Sequence, residues 1–266
     1  MLSERLKAIA DLIEYGETMA DIGTDHGFLP VYLVQSGKSP YAIATDISEN
    51  SLKKAEKLIL SEAFSDMCST RIGNGIEPIK IGEVDDVVIA GMGGILMTEI
   101  LSADIIKAHS FKKIILQPRS KIAYLRKWIR ENDFLVVKEA IVKEGNRFCE
   151  ILLVGTSGNS LLDNDESCEV LKLENEKILG DGCLLTDYFP ETLIEKPNEL
   201  TLEYLRYHLM KNEAILSNLK NNMSKKSEDF CNSNKLNDFE AIVKHLRRLI
   251  YKYEETVLND ANKRSF

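Results

Sequence analysis

Two carboxylates and two glycines are concentrated in the segment MADIGTDHGFL, where a short apolar stretch gives way to a turn. Asp21 ends the apolar stretch, and Gly23 and Gly27 follow it. In open α/β sheets, a strand-to-helix turn of this kind holds the nucleotide part of a ligand. The glycine spacing does not fit the G-x-G-x-x-G of a pyrophosphate site, and a carboxylate beside the turn would repel phosphates. It would suit the cationic aminoacyl end of S-adenosylmethionine, which we expect to be the cofactor.

Strand-like and helix-like segments alternate around this turn through the first 155 residues. Apolar runs predict buried parallel strands at 18–24, 42–47, 86–92 and 112–118, with a short strand at 70–73. Helices are expected at 29–36, 49–64, 94–107 and 121–132. Ser48 and Ser120 are the expected N-caps of two of them. The segments 134–143 and 147–155, which flank Gly145-Asn146, predict a closing β-hairpin. This α/β layout is that of the class I (Rossmann-like) methyltransferase fold.

The tail of the chain has a different periodicity, with apolar residues spaced alternately by three and four. The predicted core positions are Leu202, Leu205, Leu209, Asn212, Leu216, Leu219 and Met223, then Leu236, Phe239, Val243, Leu246, Ile250, Tyr253 and Val257. This spacing predicts two heptad helices, which residues 224–235 would link into an antiparallel hairpin or coiled coil. Asn212 falls at a core position, where a polar residue commonly fixes register. The hairpin would either grip RNA or another subunit, or buttress the sheet. We therefore expect a methyltransferase domain at 1–158, an acidic connector at 159–199 and a helical domain at 200–266.

Composition and charge are those expected of a cytoplasmic protein without disulfides, metal sites or membrane-spanning segments. The chain has 266 residues, a net charge of −8 and five cysteines without C-x-x-C spacing, so we expect reduced thiols, no metal site and a cytoplasmic location. No run is long enough to cross a membrane. Residues 107–147 carry 11 basic against 4 acidic side chains, whereas residues 156–199 carry 3 against 11. The basic segment either follows a phosphate backbone or solvates helix faces.

Several motifs in order carry a resemblance to a known family. They are LSERL at 2–6, ADIGTDHGFLP at 20–30, TDIS at 45–48, GNGIEP at 73–78, VIAGMGG at 88–94 and LQPR at 116–119. Together they resemble the TrmK family of bacterial tRNA (adenine-22-N1)-methyltransferases, and the likeness continues through EAIVKEGNRFCEILLV and YFPETL. The resemblance implies S-adenosyl-L-methionine as cofactor and tRNA as substrate. The acidic insert at 161–174 and the extended second tail helix are long for the family, so contacts of the tail transfer least.

The motifs also have chemical reasons of their own. Asp46 is placed to accept hydrogen bonds from both ribose hydroxyls, although a charge at a helix start is the structural alternative. Asn74 and Gly75 are expected beside the adenine ring, with a plain turn as the alternative. The predicted cofactor-binding residues are Asp21, Gly23, Thr24, His26, Gly27, Asp46, Ile47, Asn74, Gly75, Ala90, Gly91, Met92 and Gly93.

The segment AGMGG, at 90–94, stands where adenine N6-methyltransferases carry N/D-P-P-Y/F. The absence of the N/D-P-P-Y/F tetrapeptide indicates attack by a ring nitrogen, because N1 of adenine already presents an in-plane lone pair. The glycines would keep the floor of the pocket open for a flipped base. Asp25 is the candidate catalytic carboxylate, since methylation at N1 leaves the ring cationic, and His26 would orient it or contact the adenosyl group.

Arg5, Gly94 and Arg119 are the predicted substrate-binding residues, with Arg119 suited to a phosphate. Tyr124 and Trp128 are the aromatic residues that could stack on a base, but their helix pattern favours core packing. Two other classes stay open: a methyltransferase of small molecules or proteins, and an inert RNA-binding module. A nicotinamide dehydrogenase would need the missing third glycine. Monomer and dimer are both compatible with heptad helices.

Overall fold

The computed structural model describes residues 2–156, 177–195, 197, 199–223 and 230–263. The chain divides into two compact units, Met1–Val170 and Leu171–Phe266. The predicted acidic insert at 161–174 and the first part of the predicted connector lie outside the described residues. Among the described residues, Cys68 and Cys149 are free thiols.

The first unit is a seven-stranded sheet in the order β3-β2-β1-β4-β5-β7-β6. Its strands are β1 (Met19–Ile22), β2 (Ala42–Asp46), β3 (Cys68–Ile72), β4 (Asp86–Gly93), β5 (Lys113–Ser120), β6 (Phe134–Glu144) and β7 (Arg147–Thr156). Strands β1 to β5 are parallel, whereas β7 runs antiparallel to both β5 and β6. The predicted parallel sheet with a closing hairpin is therefore confirmed, and with it the class I methyltransferase layout.

Six helices cover the sheet: α1 (Glu4–Asp11), α2 (Phe28–Gln35), α3 (Glu49–Ser61), α4 (Gly94–Ser102), α5 (Ile105–Ser110) and α6 (Ile122–Glu131). Apolar side chains of α1, α2 and α3 pack with one face of the sheet, and those of α4 and α6 pack with the other. Successive strand residues point to opposite faces, so β1, β2, β4 and β5 each contribute to both apolar clusters, whereas the edge strand β3 contributes only Cys68 to one of them. The sheet is buried on both sides, which explains its continuous apolar runs.

Of three helix boundaries predicted from the sequence, one is confirmed and two are wrong. Ser48 is the N-cap of α3, as expected, and its hydroxyl accepts the N–H of Ser51. Ser120 is not an N-cap, because β5 continues through it and α6 begins after Lys121, whose φ is 58°. The helix predicted over 94–107 is two helices, since the Asp104 carboxylate accepts the N–H of Lys107 and starts α5.

A group of buried charges lies at the amino ends of the strands, opposite the edge where the predicted site residues occur. Lys113 of β5 is buried and pairs with Glu17, and its Nζ is 4.0 Å from a carboxylate oxygen of Asp86. Asp86 is fully buried and neither of its oxygens accepts a hydrogen bond among the described residues. Burial raises the pKa of Asp86 to about 8 despite the nearby ammonium.

The second unit contains α7 (Leu185–Tyr188), α8 (Thr192–Glu195), α9 (Thr201–Met223) and α10 (Phe230–Lys263). The predicted pair of long tail helices is confirmed, but α10 begins at Phe230, so the second half of the expected 224–235 linker is helical. Three ion pairs join the two long helices: Arg206–Glu254, Glu213–Arg247 and Lys220–Glu240. Each step of seven residues forward in α9 is matched by seven residues back in α10. The register is therefore antiparallel and heptad-spaced.

Asn212 does not reach across to α10 as a register-fixing residue would. Its Nδ2 donates to the carbonyl of His208, four residues back in its own helix, at 2.7 Å. The amide is thereby satisfied locally. Among the described helices, none is long and apolar enough to span a membrane.

Candidate active site

All predicted site residues except Arg5 lie at or just beyond the carboxyl ends of the five parallel strands. Asp21 and the turn after it follow β1, Asp46 ends β2, and Asn74 follows β3. The AGMGG segment ends β4 and begins α4, and Arg119 lies near the end of β5. The fold thus brings to one edge of the sheet residues that are up to 98 positions apart in the sequence, from Asp21 to Arg119.

Asp21 has the most unusual environment of these residues. Only 7% of it is exposed, and its carboxylate accepts a 2.7 Å hydrogen bond from the Thr24 hydroxyl. Burial raises its pKa to about 6, although the Thr24 hydrogen bond and the charge of Arg5 act in the opposite direction. Asp21 therefore orders the turn, and it is a buried acid beside the site with a pKa of about 6.

The turn after β1 is fixed by its neighbours. Both Gly23 and Thr24 donate their backbone N–H groups to the carbonyl of Thr45 in β2, at 2.8 and 2.9 Å. Gly23 has a φ of 75°, and a Cβ at this position would lie 2.1 Å from Cε of Met92. Glycine is favoured there by the positive φ, and the flexible end of the Met92 side chain of β4 lies directly against the turn. Two predicted cofactor-binding segments are therefore in contact.

Gly27 was predicted to bind the cofactor, and the structure shows that helix packing also requires a glycine at this position. Its φ is 73°, and a Cβ would lie 2.9 Å from the Cβ of Ala55. The glycine therefore lets the start of α2 pack against α3, and this explains it without a ligand. Its contact with the cofactor stays a prediction.

Asp46 has the structural role of a carboxylate at a helix start, and its contact with the ribose stays a prediction. One carboxylate oxygen accepts the N–H of Ser48 at 2.9 Å, and the other accepts the N–H of Asp25 at 3.2 Å. The carboxylate thus joins the end of β2 to the turn after β1, and each oxygen keeps a lone pair for a further donor. Ile47, which follows it, is a largely exposed aliphatic side chain. An exposed isoleucine beside a carboxylate suits a nucleoside, with its ring on the isoleucine and its ribose on the acid.

The Asn74–Gly75 pair leaves an amide at the same edge. Asn74 is exposed, whereas Gly75 is buried with a φ of 56°. A Cβ at Gly75 would lie 2.7 Å from Cγ2 of Ile100 in α4. The turn is therefore set by packing, and it presents the Asn74 side chain outward.

Asp25 has a φ of 52°, which few residues other than glycine and asparagine adopt readily. One carboxylate oxygen is 2.7 Å from Nδ1 of His26, and the other is 3.5 Å from Nζ of Lys54. His26 in turn stacks on Phe28 with ring centroids 5.3 Å apart. The predicted orienting contact between His26 and Asp25 is present. The side chain of Asp25 is 61% exposed, so it faces solvent at the rim of the site.

The glycines of the AGMGG segment serve two purposes. The β4–β5 register is interrupted around Gly91, whose φ is 78°, and a Cβ there would lie 3.6 Å from Nε of Arg119. Glycine is favoured at position 91 by its positive φ, since a Cβ there would make only an ordinary van der Waals contact with the guanidinium. Gly94, predicted to contact the substrate, is buried, and a Cβ there would lie 2.5 Å from the carbonyl oxygen of Lys121. Its requirement is close packing of α4 against the start of α6.

Arg5 reaches the site from α1, as predicted, but it is paired. Its guanidinium donates to Oε1 of Gln117 at 3.1 Å and to Glu144 at 3.4 Å. Gln117 is a buried polar residue in β5, and its amide also donates to the carbonyl of Pro118. Arg119 is exposed, as a phosphate contact requires.

Sequence reasoning assigned no role to Gln117, Lys54 or Phe28. The signal for Gln117 was available, because it is the polar side chain within the otherwise apolar run 114–118 of β5. The contacts of Lys54 and Phe28 depend on how α2 and α3 meet the turn, which spacing does not reveal.

The residues at this edge fit S-adenosylmethionine. They offer a buried carboxylate at β1, a second carboxylate at β2 beside an exposed aliphatic side chain, and a glycine turn at β4. A cationic amine, a ribose diol and an adenine ring have matching partners there. No group of His, Cys, Asp and Glu among the residues that the structure describes could hold a metal ion.

Comparison with known proteins gives consistent matches. A protein-family model described as "Methyltransferase domain" matches residues 2–152. The tRNA (adenine(22)-N(1))-methyltransferase of Bacillus subtilis is 35% identical over 179 residues, covering 67% of this chain and 73% of the relative.

Solved structures match over both units. The crystal structure of the B. subtilis m1A22 tRNA methyltransferase TrmK has a TM-score of 0.75 and 27% identity, covering 94% of this chain and 99% of that one. The structure of M. capricolum TrmK in complex with S-adenosyl-homocysteine has a TM-score of 0.72 and 27% identity, with the same coverage.

Proposed function

Because the chain belongs to the TrmK family of bacterial tRNA (adenine-22-N1)-methyltransferases, we propose that it methylates N1 of adenine 22 in tRNA. Its cofactor is S-adenosyl-L-methionine, which supplies an electrophilic methyl group when bound. The observation that carries the proposal is the convergence of Asp21, Asp46, Asn74 and the AGMGG turn at one edge of the sheet. A tRNA substrate places the reaction in the cytoplasm.

We assign the binding of the cofactor to residues of four strand ends. Asp21 faces the cationic amine, and Asp46 accepts hydrogen bonds from the ribose. Ile47, Asn74 and Gly75 surround the adenine ring. The segment Ala90–Gly91–Met92–Gly93 borders the methyl group, with Gly23, Thr24, His26 and Gly27 completing the turn.

The chain has little proton chemistry to perform in this reaction. N1 of adenine is unprotonated near neutral pH and attacks through an in-plane lone pair, so no strong base is needed. The protein must instead hold N1 in line with the methyl carbon, and such positioning is worth on the order of 7 to 11 kcal/mol. The compact backbone at Gly91 and Gly93 supports this role, since it leaves room for a flipped base.

Asp25 stabilises the positive charge that develops on the adenine ring as the N1–methyl bond forms. It is held for this by His26 and Lys54, which contact one carboxylate oxygen each. Lys54 also adds a positive charge 3.5 Å from the Asp25 carboxylate, which offsets part of the attraction of Asp25 for the ring. Arg119, exposed beside Gly91, binds a phosphate of the tRNA.

Methyl transfer from labelled S-adenosyl-L-methionine tests the proposal directly. Unmodified bacterial tRNA should accept label, and the same tRNA with adenine 22 replaced by guanine should not. Label on both would keep a tRNA methyltransferase and reject adenine 22. Label on neither, with the cofactor shown to bind, would favour a small molecule or a protein as the substrate.

A further inference from the structure

An exposed tyrosine lies on the first turn of α6, where core packing was expected. Tyr124 is 41% exposed, whereas Trp128, one turn later, packs on Phe134 and donates its Nε1–H to the hydroxyl of Ser102. The core prediction is therefore confirmed for Trp128 and wrong for Tyr124. Ile95, on the first turn of α4, is similarly exposed at 43%.

Tyr124 and Ile95 lie on facing sides of neighbouring helices. Residues four or seven apart share a helix face, so Tyr124 shares the face of Trp128 and Ile95 shares the face of Ser102. The Trp128–Ser102 hydrogen bond shows that these two faces meet. Both exposed residues lie nearer the carboxyl edge, where Gly94 packs on the backbone of Lys121. Together they form an apolar patch, one side of which is aromatic.

Two exposed cations lie beside this patch at the carboxyl edge, and the exposed carboxylate of Glu99 lies one helical turn further along α4 than Ile95. Arg119 and Lys121 are exposed, and neither forms an ion pair with any residue that the structure describes. Four other cations of the basic segment form ion pairs, among them Lys112 with Asp85 and Arg126 with Glu139 and Glu150. Part of the positive surplus of the 107–147 segment therefore lies at the edge beside Tyr124. An aromatic face next to free cations is the combination that binds single-stranded nucleic acid.

We propose that Tyr124, supported by Ile95, is the stacking platform for a tRNA base that flanks the target adenine. Arg119 and Lys121 contact the phosphates on either side of that base. The proposal rests on the proposed function, because it takes tRNA as the substrate. It assigns a positioning role to a residue that does not touch the methyl group.

The position of the patch separates the flanking base from the target. The target adenine must approach the cofactor over Gly91 and Gly93 at the end of β4, whereas Tyr124 lies on the first turn of α6, which follows the neighbouring strand β5. A base held at Tyr124 is displaced sideways from the reacting atoms. Loss of the ring should therefore weaken the binding of tRNA and change the chemical step much less.

Three variants of the full chain test this. Stacking on an aromatic ring contributes roughly 1 to 3 kcal/mol per base, so Tyr124→Ala should weaken binding of unmodified tRNA roughly 5- to 150-fold. Tyr124→Phe keeps the ring and should bind within about twofold of the wild type. Tyr15→Ala is the matched control, since Tyr15 is a 78% exposed tyrosine before β1, at the opposite edge of the sheet.

The readouts are the dissociation constant for tRNA, the single-turnover methylation rate at saturating tRNA, and the affinity for the cofactor. We expect only the first to change in Tyr124→Ala. Equal tRNA affinity in Tyr124→Ala and Tyr15→Ala would overturn the proposal. So would a loss confined to the saturated rate, which would instead place the target adenine on the ring. Failure of the wild type to bind or methylate tRNA would reject the proposed function itself.

Discussion

The raised pKa of Asp21 predicts that the cofactor binds more weakly in mild acid. The carboxyl group is buried, and its pKa is about 6 instead of the ordinary 3.8. If Asp21 must be ionised to hold the cofactor's ammonium, protonation competes with binding. The affinity is then fully present well above pH 6 and is lost as the pH falls through that value.

The size of the effect follows from the pKa. For one competing proton, the apparent dissociation constant increases by a factor of about 1.1 at pH 7 and about 11 at pH 5, which is roughly a tenfold loss over two pH units. An acid with the ordinary pKa would lose less than about 10% of its affinity in the same range. The cofactor's own α-amino group titrates near pH 8, so the range from 5 to 7 avoids it.

Calorimetric or fluorescence titration with S-adenosyl-L-methionine between pH 5 and 7 measures this loss. Asp21→Asn should bind more weakly at pH 7 and show little dependence on pH. Thr24→Val removes the hydrogen bond that lowers the pKa of Asp21, so its midpoint should move to higher pH. The same pH dependence in wild type and Asp21→Asn would refute the reasoning and assign the titration to another group.

Three further predictions concern catalysis, tRNA binding and stability. Asp25→Ala should lower the single-turnover rate far more than the cofactor affinity, and an equal loss in both would make Asp25 a binding residue. Arg119→Ala should weaken tRNA binding and reduce the slope of log affinity against log salt by about 1; an unchanged slope would contradict a phosphate contact. Because burial raises the pKa of Asp86 to about 8, the folded state holds its proton more tightly than the unfolded state, and stability should fall as the pH rises from 6.5 to 8. Asp86→Asn should remove about 1 kcal/mol per pH unit of this slope in chemical denaturation, and parallel profiles would show that Asp86 is not its source.

Periodicity was sufficient to predict the sheet and its helices. The apolar runs of β1, β2, β4 and β5 are buried on both faces, which is the condition that produces such runs. Predictions failed where a side chain or a backbone angle decided the boundary. Asp104 caps α5 and divides the helix predicted over 94–107, and Lys121 takes a positive φ where Ser120 was expected to act as a cap.

The positions of the candidate site residues at the strand ends could be predicted from the sequence, but the hydrogen bonds between them could not. Asp21, Asp46 and Asn74 each follow a strand, and the carboxyl ends of parallel strands meet by topology. What spacing could not show is that Asp46 also anchors the N–H of Asp25, or that Arg5 is engaged by Gln117 and Glu144. Those contacts join residues 21 to 139 positions apart. They depend on how the helices are laid on the sheet.

The three ion pairs between α9 and α10 also disfavour a shifted register between the two helices. Along α9 the sign of the paired residues alternates, from Arg206 to Glu213 to Lys220, and α10 carries the complementary alternation. If α10 slipped by one heptad, Arg206 would meet Arg247 and Glu213 would meet Glu240. The apolar seam alone would tolerate that slip, because its pattern repeats every seven residues. The alternating charges disfavour the slip, because like charges would then meet. These exposed pairs therefore specify the register of the two helices, which Asn212 does not do because its amide bonds within its own helix.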